Sequence, residues 1–305
     1  MPQIFDCITF FNENFITNIR FEILSDKVDY FVICESLFDH QGNKKELNFS
    51  LKNKAYKNKI IYLIHDKPFN VENNAWQNQA EQREHIFNAL KIAKDEDYIM
   101  FSDPNEIPNP KIFNDLKLKK KYGLFLQKMY CYKFNIFNHH ETPWQGTRVC
   151  KKKNLRSIDY MRQQVVLKNL NQPFWKIYKE KSIEIFKDGG WHFNSLLTPE
   201  EISLKLKTFA HDEFAKPEYS NLNVVKKNIE QYKDLFKRNL TYKKVDLDVT
   251  FPKYILENIF STGKVFLPLA RYGVTPFSVG SGEVDSAVLL YIHIHTHTYI
   301  HIHTH

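Results

Sequence analysis

Apolar residues arrive first as short blocks and then as a helical rhythm. Ile4 to Phe11 is an almost unbroken apolar run, the pattern of a strand covered on both faces. Phe15, Ile19 and Ile23 recur every four residues, which predicts an amphipathic helix over about Glu13 to Leu24. Tyr30 to Cys34 and Lys59 to Ile64 are aromatic and β-branched enough for two further buried strands. Between them His40 to Asn58 is polar and reads as a loop with room for a short extra element. Trp76, Ala80, Phe87, Leu90 and Ala93 share one stripe and predict a long helix over about Ala75 to Ala93. Tyr98 to Phe101 follows as a strand, and Pro110 opens another helix at a position where its missing N–H costs nothing. The order β-α-β-β-α-β-α predicts an α/β fold with a largely parallel central sheet and flanking helices.

Further along, Leu124 to Phe134, Thr147 to Cys150 and Ile183 to Phe186 read as strands, with irregular polar segments between them. Thr198-Pro199-Glu200-Glu201 is a capping box with proline at the first helical position, opening a helix to about Phe209. Val224 to Phe236 gives the last clear helix. With no linker and no internal repeat before it, residues 1–260 read as one domain.

Composition narrows the class. The 305 residues carry 43 Lys and Arg against 35 Asp and Glu, a net charge of +8. With 43% hydrophobic residues, wholesale disorder is excluded, and only 9 glycines and 12 prolines exclude a collagenous chain. The four cysteines (Cys7, Cys34, Cys131, Cys150) are scattered without a CxxC pair and read as reduced thiols. The N-terminus has no basic region and meets Asp6 early, so it is not a signal peptide. No run approaches the ~18–20 apolar residues that span a bilayer. The expectation is a cytoplasmic protein, at most peripheral to a membrane.

The segment most suited to chemistry is Ser102-Asp103-Pro104-Asn105-Glu106-Ile107-Pro108. It follows a strand directly, and open α/β sheets bind ligands at the carboxyl ends of their strands. Asp103, Asn105 and Glu106 offer oxygen ligands to a hard cation holding phosphates, or equally form an ordinary acidic turn. Gln82 and Arg83 lie on the preceding helix, where the arginine can meet a phosphate or hold an acidic loop residue. Gly189-Gly190-Trp191-His192-Phe193 allows a tight turn that exposes Trp191 to a sugar or base and His192 to a metal. Its plainer reading is a core tryptophan and a hydrogen-bonded histidine. His211, Asp212 and Glu213 close the helix that Pro199 opens.

These stretches together resemble glycosyltransferase family 17, the family of the bisecting β-1,4-mannosyl-glycoprotein N-acetylglucosaminyltransferase. The similar residues are Asp6-Cys7, Phe10 to Glu13, Asn18-Ile19-Arg20, Val28 to Ile33, Trp76, Glu81-Gln82-Arg83, Ser102 to Pro108, Gly189 to Phe193 and Phe209 to Glu213. The resemblance implies a GT-A-like nucleotide-sugar fold and inverting transfer of N-acetylglucosamine or a related sugar from a UDP-sugar to a glycan acceptor. It implies a divalent cation, Mn2+ or Mg2+, held by Asp103, Asn105 and His192. Arg83, Gln82 and Trp191 would join Asp103 and Asn105 in binding the donor. Glu106 and Glu213 are the candidate catalytic bases, and Glu13 and Glu35 are weaker candidates for binding donor or acceptor. One departure stands out: the family's usual second aspartate is Asn105, which lowers the charge offered to a cation.

Two other readings compete. A nucleotidyltransferase would use the same acids but would normally show a glycine-rich phosphate loop near the N-terminus, and there is none. A basic nucleic-acid-binding module would interleave its lysines with aromatics, and here they are scattered, so no nucleic-acid partner is expected. A lipid-linked or surface polysaccharide is as plausible an acceptor as a glycoprotein mannose core, with peripheral contact to a membrane-linked acceptor. Half of the histidine excess lies in the last fourteen residues, IHIHTHTYIHIHTH, whose codons match a translated TA/CA dinucleotide repeat. Residues 261–305 are therefore expected to be a non-native or disordered tail. Removing them takes away Lys264, Arg271, Glu283 and Asp285, which leaves the charge of the remainder at +8.

Overall fold

The computed structural model describes residues 2–208 and 214–262. Its strands are β1 (Ile4–Phe10), β2 (Tyr30–Ser36), β3 (Ile60–His65), β4 (Tyr98–Ser102), β5 (Glu106–Pro108), β6 (Tyr122–Cys131), β7 (Ile136–Phe137), β8 (Trp144–Lys151), β9 (Ile183–Phe186), β10 (Gly190–Asn194) and β11 (Lys243–Lys244). Its α-helices are α1 (Asn14–Leu24), α2 (Ala75–His85), α3 (Ile158–Gln164), α4 (Leu167–Leu170), α5 (Pro199–Thr208), α6 (Pro217–Ser220), α7 (Leu222–Glu230) and α8 (Lys253–Thr262).

The N-terminal apolar blocks form the parallel part of a mixed sheet, in which β1 pairs with both β2 and β4, and β2 pairs with β3. From β4 the order continues antiparallel through β8 to β6, which carries β9 and β10 in parallel along its other edge. This is the α/β class that the alternating elements predict. Strand β1 shows why its run is continuous: Ile4, Ile8 and Phe10 join one core layer while Phe5 and Cys7 join the other. The first layer lies under α1 and α8, and the second under α3 and the 3-10 turn Ile86–Ile92. A third cluster joins the end of β6 to α5 and α7.

Several elements differ from their sequence patterns. Strand β3 is only half-buried, because it is the edge of the sheet. The long helix breaks into α2 and the following 3-10 turn. Trp76 is 46% exposed, and the buried face of α2 is polar: Asn78, Gln82 and Arg83. The segment Gly189–Phe193 is no exposed turn, since β10 pairs with β5 on one side and β6 on the other. The capping box at α5 forms as expected, with the Thr198 backbone N–H donating to Glu201 and that of Glu201 donating to the Thr198 hydroxyl. All four cysteines are buried and unpaired.

Candidate active site

Strands β1, β2 and β4 run parallel and end side by side, and a cleft of about 1130 Å³ opens where they end. Phe10 and Phe11 at the end of β1, Asp39 after β2 and Asp103 after β4 all line it. This is where an open parallel sheet leaves room for a ligand, because the connections at strand ends diverge to opposite faces. Polar side chains from α2, α3, β8 and β10 close the other walls.

A buried strut fixes the acidic loop. Arg20 on α1 donates to both carboxylate oxygens of Asp6 on β1 at 2.6 Å each. The same guanidinium donates to the Ser102 hydroxyl at 3.0 Å and to the Glu106 carbonyl at 2.6 Å. Asp6, Arg20 and Ser102, all inside the family-like stretches, thus set the height of the loop from below. The loop itself folds back into β5, so Glu106 begins a strand rather than ending a free turn.

Glu106 is fully buried and its carboxylate accepts from four N–H groups. Trp144 Nε1 donates at 2.7 Å, Arg162 Nη1 and Nη2 at 3.0 Å each, and the Asp103 backbone N–H at 3.1 Å. These contacts occupy its acceptor positions, which makes it a member of the scaffold and not a free proton acceptor. Arg162 also donates to Asp103 Oδ2 at 2.7 Å, so one guanidinium neutralises both acids of the loop. Burial would raise the Asp103 carboxyl, but Arg162, with Arg83 behind it, outweighs this and holds it below the usual carboxylate range. Asp103 is a charged group at neutral pH, with its side chain 35% exposed toward the cleft.

His192 on β10 faces Glu106 on β5 in register. Its Nε2 lies 3.1 Å from Asn105 Nδ2, its ring packs 4.7 Å from that of Trp144, and its Nδ1 has no partner. Burial pushes the imidazole down to about 4 against the opposing pull of Glu106 and Asp103, so His192 is neutral at pH 7. On α2, Gln82 donates to the carbonyl of Cys34 at 3.0 Å and lies 3.5 Å from that of Phe10, tying two strand ends together. Arg83 donates to Asp159 at 2.8 Å and to Gln79 at 2.7 Å, and lines the cleft.

The structure therefore brings Asp103, Asn105, Gln82, Arg83 and His192 to one cleft, with Glu106 buried against the Asp103 backbone. It does not bring Trp191, which is a core residue with its indole N–H donating to the Thr250 carbonyl at 3.1 Å. The indoles that line the cleft are Trp76 on α2 and Trp144 on β8. Glu13 lines the cleft but is held by Lys205 at 2.9 Å, and Glu35 is buried against Lys45, Tyr62 and two backbone N–H groups. Glu213 and His211 lie outside the described residues.

Sequence reasoning missed Arg148 and Arg162. Arg148 stands in a buried strand beside Val149 and Cys150, and a lone arginine in such a run was the available signal. Arg162 comes from α3, inside a polar segment with no periodicity to mark it.

The divalent cation implied by the resemblance needs a donor set. Among the described residues no three His, Cys, Asp or Glu side chains converge on a metal position. Glu106 is saturated, Asp103 shares Arg162, and Asn105 supplies a neutral amide in contact with His192. Hard divalent cations are held by several oxygen ligands with carboxylates among them. The residues present do not fit a resident ion of that kind.

In sequence, a model of glycosyltransferase family 17 matches residues 1–258. No curated protein matches the chain. Among solved structures, one similar chain is a glycosyltransferase involved in the glycosylation of the major capsid of PBCV-1. It shares 13% identity at a TM-score of 0.28, over 61% of this chain and 82% of that one. Another is the inositol-1-phosphate CTP transferase from T. maritima, at 10% identity and a TM-score of 0.32, over 64% and 91%. A third is the M. tuberculosis glucosyl-3-phosphoglycerate synthase, at 10% identity and a TM-score of 0.35, over 84% and 92%.

Proposed function

The chain belongs to glycosyltransferase family 17, and from that premise we propose that its cleft transfers N-acetylglucosamine or a related sugar from a UDP-sugar to a glycan hydroxyl with inversion. As a glycosyltransferase it is an enzyme with a sugar donor and an acceptor. The observation that carries the finer reading is the cleft at the ends of three parallel strands, where the Asp103 carboxylate stands among Arg83, Arg148 and Arg162. Guanidinium groups suit a diphosphate, and an ionised carboxylate beside them suits the hydroxyls of a sugar or ribose. A nucleotidyltransferase has less support, since the turn after β1, Phe11 to Glu13, contains no glycine to cradle a triphosphate.

In the reaction the bond from the sugar's anomeric carbon to the β-phosphate oxygen breaks, and its electron pair leaves with UDP. The acceptor oxygen forms the new bond from the opposite face, and its proton passes to a carboxylate. Glu213 is our assignment for that base. Glu106 acts as a positioning residue, holding Arg162, Trp144 and the Asp103 backbone. Asp103 and Asn105 address the donor from the loop, with Arg83 and Gln82 supporting them from α2. Trp144 takes the stacking role that the sequence pattern suggested for Trp191. The acceptor is a glycan and not a nucleic acid. No helix among the described residues is long and apolar enough to cross a membrane.

A screen of nucleotide-sugars for UDP release, with and without a glycan acceptor, tests this. We expect turnover of at least one UDP-sugar, and a loss of about a hundredfold or more in Asp103→Ala. If every nucleotide-sugar is left intact and none raises the melting temperature, the reading fails.

A further inference from the structure

We infer that Arg148 is the anion site of the cleft, holding the donor's diphosphate in place of a resident divalent cation. This rests on the donor reading above and deepens it. Arg148 is 4% exposed, yet its guanidinium meets no carboxylate among the described residues. Nη1 donates to the carbonyls of Gln145 and Gly146, and Nε lies 3.4 Å from that of Val165. Those contacts hold one edge of the fork against β8 and the turn after α3, while the residue lines the cleft. A buried cation with only carbonyl partners is costly unless something else compensates it.

Its neighbours sharpen the case. Burial, with Arg162 close by, outweighs the pull of the nearby Glu106 and Asp103 and pushes the Arg148 guanidinium down to about 9, so it stays charged at neutral pH but at a cost. Arg162 is occupied by Asp103 and Glu106, and Arg83 by Asp159. Arg148 is thus the member of the three with no acid in contact. An incoming diphosphate removes that cost, and guanidinium forks match phosphate oxygens in pairs. During transfer, the charge that develops on leaving UDP falls on a fixed cation that needs no reorganisation.

Binding of UDP, followed by calorimetry and by melting temperature in EDTA and in Mn2+, tests the assignment. We expect UDP to bind in EDTA nearly as well as in Mn2+. Arg148→Gln should weaken it by about tenfold or more, with Arg148→Lys retaining part of the affinity. Binding in Mn2+ but not in EDTA overturns the inference and leaves the transferase reading standing. No UDP binding in either condition removes the nucleotide reading and the inference together. The EDTA comparison uses the unaltered protein, so it decides even where the variants fail to fold. Where they fold, Arg148→Gln binding like the parent also overturns the assignment.

A second, independent observation concerns the loop between α4 and β9. Phe174, Trp175, Ile177 and Tyr178 are 83%, 67%, 90% and 63% exposed, an apolar cluster in water. The loop is braced: Lys181 donates to the carbonyls of Pro173 at 2.6 Å and Phe174 at 3.2 Å, and Lys176 to Gln172 at 3.0 Å. Beside it lies a hollow lined by Lys121, Lys153, Arg156, Lys179 and Lys181, with Glu180 the one acid. Aromatic and aliphatic side chains ringed by basic groups are the composition of a surface that sits in the headgroup region of an anionic bilayer. We propose that this loop docks the enzyme on an anionic lipid surface.

Co-sedimentation with phosphatidylcholine vesicles, with and without phosphatidylglycerol, tests the docking. We expect binding to the anionic vesicles, weakened by salt. Trp175→Ser with Ile177→Ser should lose about tenfold or more of it at an unchanged melting temperature, because both side chains lie in solvent. Absence of binding at low salt, or equal binding by the variant, overturns the proposal. So does a self-association that the variant abolishes in the absence of lipid, which would make the patch a contact between copies.

Discussion

Arg20 heads the fully buried side chains by volume, and it carries a charge. An uncompensated charge there would be expensive, so the Asp6 carboxylate, the Ser102 hydroxyl and the Glu106 carbonyl are jointly required. Asp6→Ala leaves the guanidinium buried with only neutral acceptors and should cost about 3–5 kcal/mol in urea unfolding. A loss below ~1 kcal/mol would mean that Arg20 finds water or another acceptor. His192 makes the second prediction at this scale. Its pKa is held at about 4 in the folded protein by burial, against ~6.5 unfolded, so the unfolded chain binds more protons between those values. Stability is therefore complete above about pH 6.5 and falls as the pH drops toward 4, by up to ~3 kcal/mol from this group. His192→Gln should flatten that slope relative to the parent, measured by denaturant unfolding at a series of pH values. Because His40 is also lowered by burial, the difference between the two proteins is the quantity to read. Coincident slopes would show that His192 titrates as it does unfolded.

At the scale of elements, β10 was the hardest to foresee and does the most for the site. Two glycines before an aromatic pair look like a turn, and the pairing that makes them a strand comes from β5 and β6, far away in sequence. Gly190 is needed for close approach. Its φ is +126°, and a Cβ there would lie 2.2 Å from the Ile107 carbonyl oxygen. Gly190→Ala should cost about 3 kcal/mol or more and separate His192 from Glu106, seen as a lowered melting temperature together with weakened UDP binding. A variant that melts and binds like the parent would refute the close packing of β10 on β5. Strands β1, β2 and β4 were legible because burial on both faces demands unbroken apolar runs. The buried face of α2 was not, because Asn78, Gln82 and Arg83 answer a loop, a strand end and α3 rather than a hydrophobic layer. The acidic loop could be read from its place after a strand. Arg148 and Arg162 could not, since what brings them to it is the antiparallel return through β8 and the short α3.

For the whole molecule the question is how much chain the fold needs. The C-terminal part of the described chain is structural: Trp191 donates to the Thr250 carbonyl, and Phe251 and Ile255 are buried in the layer that also holds α1. The Phe251 ring packs at a tilt with its centroid 5.0 Å from that of Tyr130, so this segment closes the sheet near β6. Helix α8 ends at Thr262, and the family match ends at residue 258. A chain stopped after Thr262 should therefore keep the parent's melting temperature and its UDP binding. A chain stopped after Asp248 loses both Phe251 and Ile255, each worth roughly 2–5 kcal/mol when truncated in a core. It should be unfolded or nearly so, since domains of this kind have only about 5–15 kcal/mol of stability to lose. Thermal melts of the two truncations, read beside the full chain, separate the possibilities. If the longer truncation melts well below the parent or stops binding UDP, residues 263–305 belong to the working enzyme and the repeat-like tail needs a role. If it matches the parent, the net charge of +8, the core and the cleft all belong to the first 262 residues.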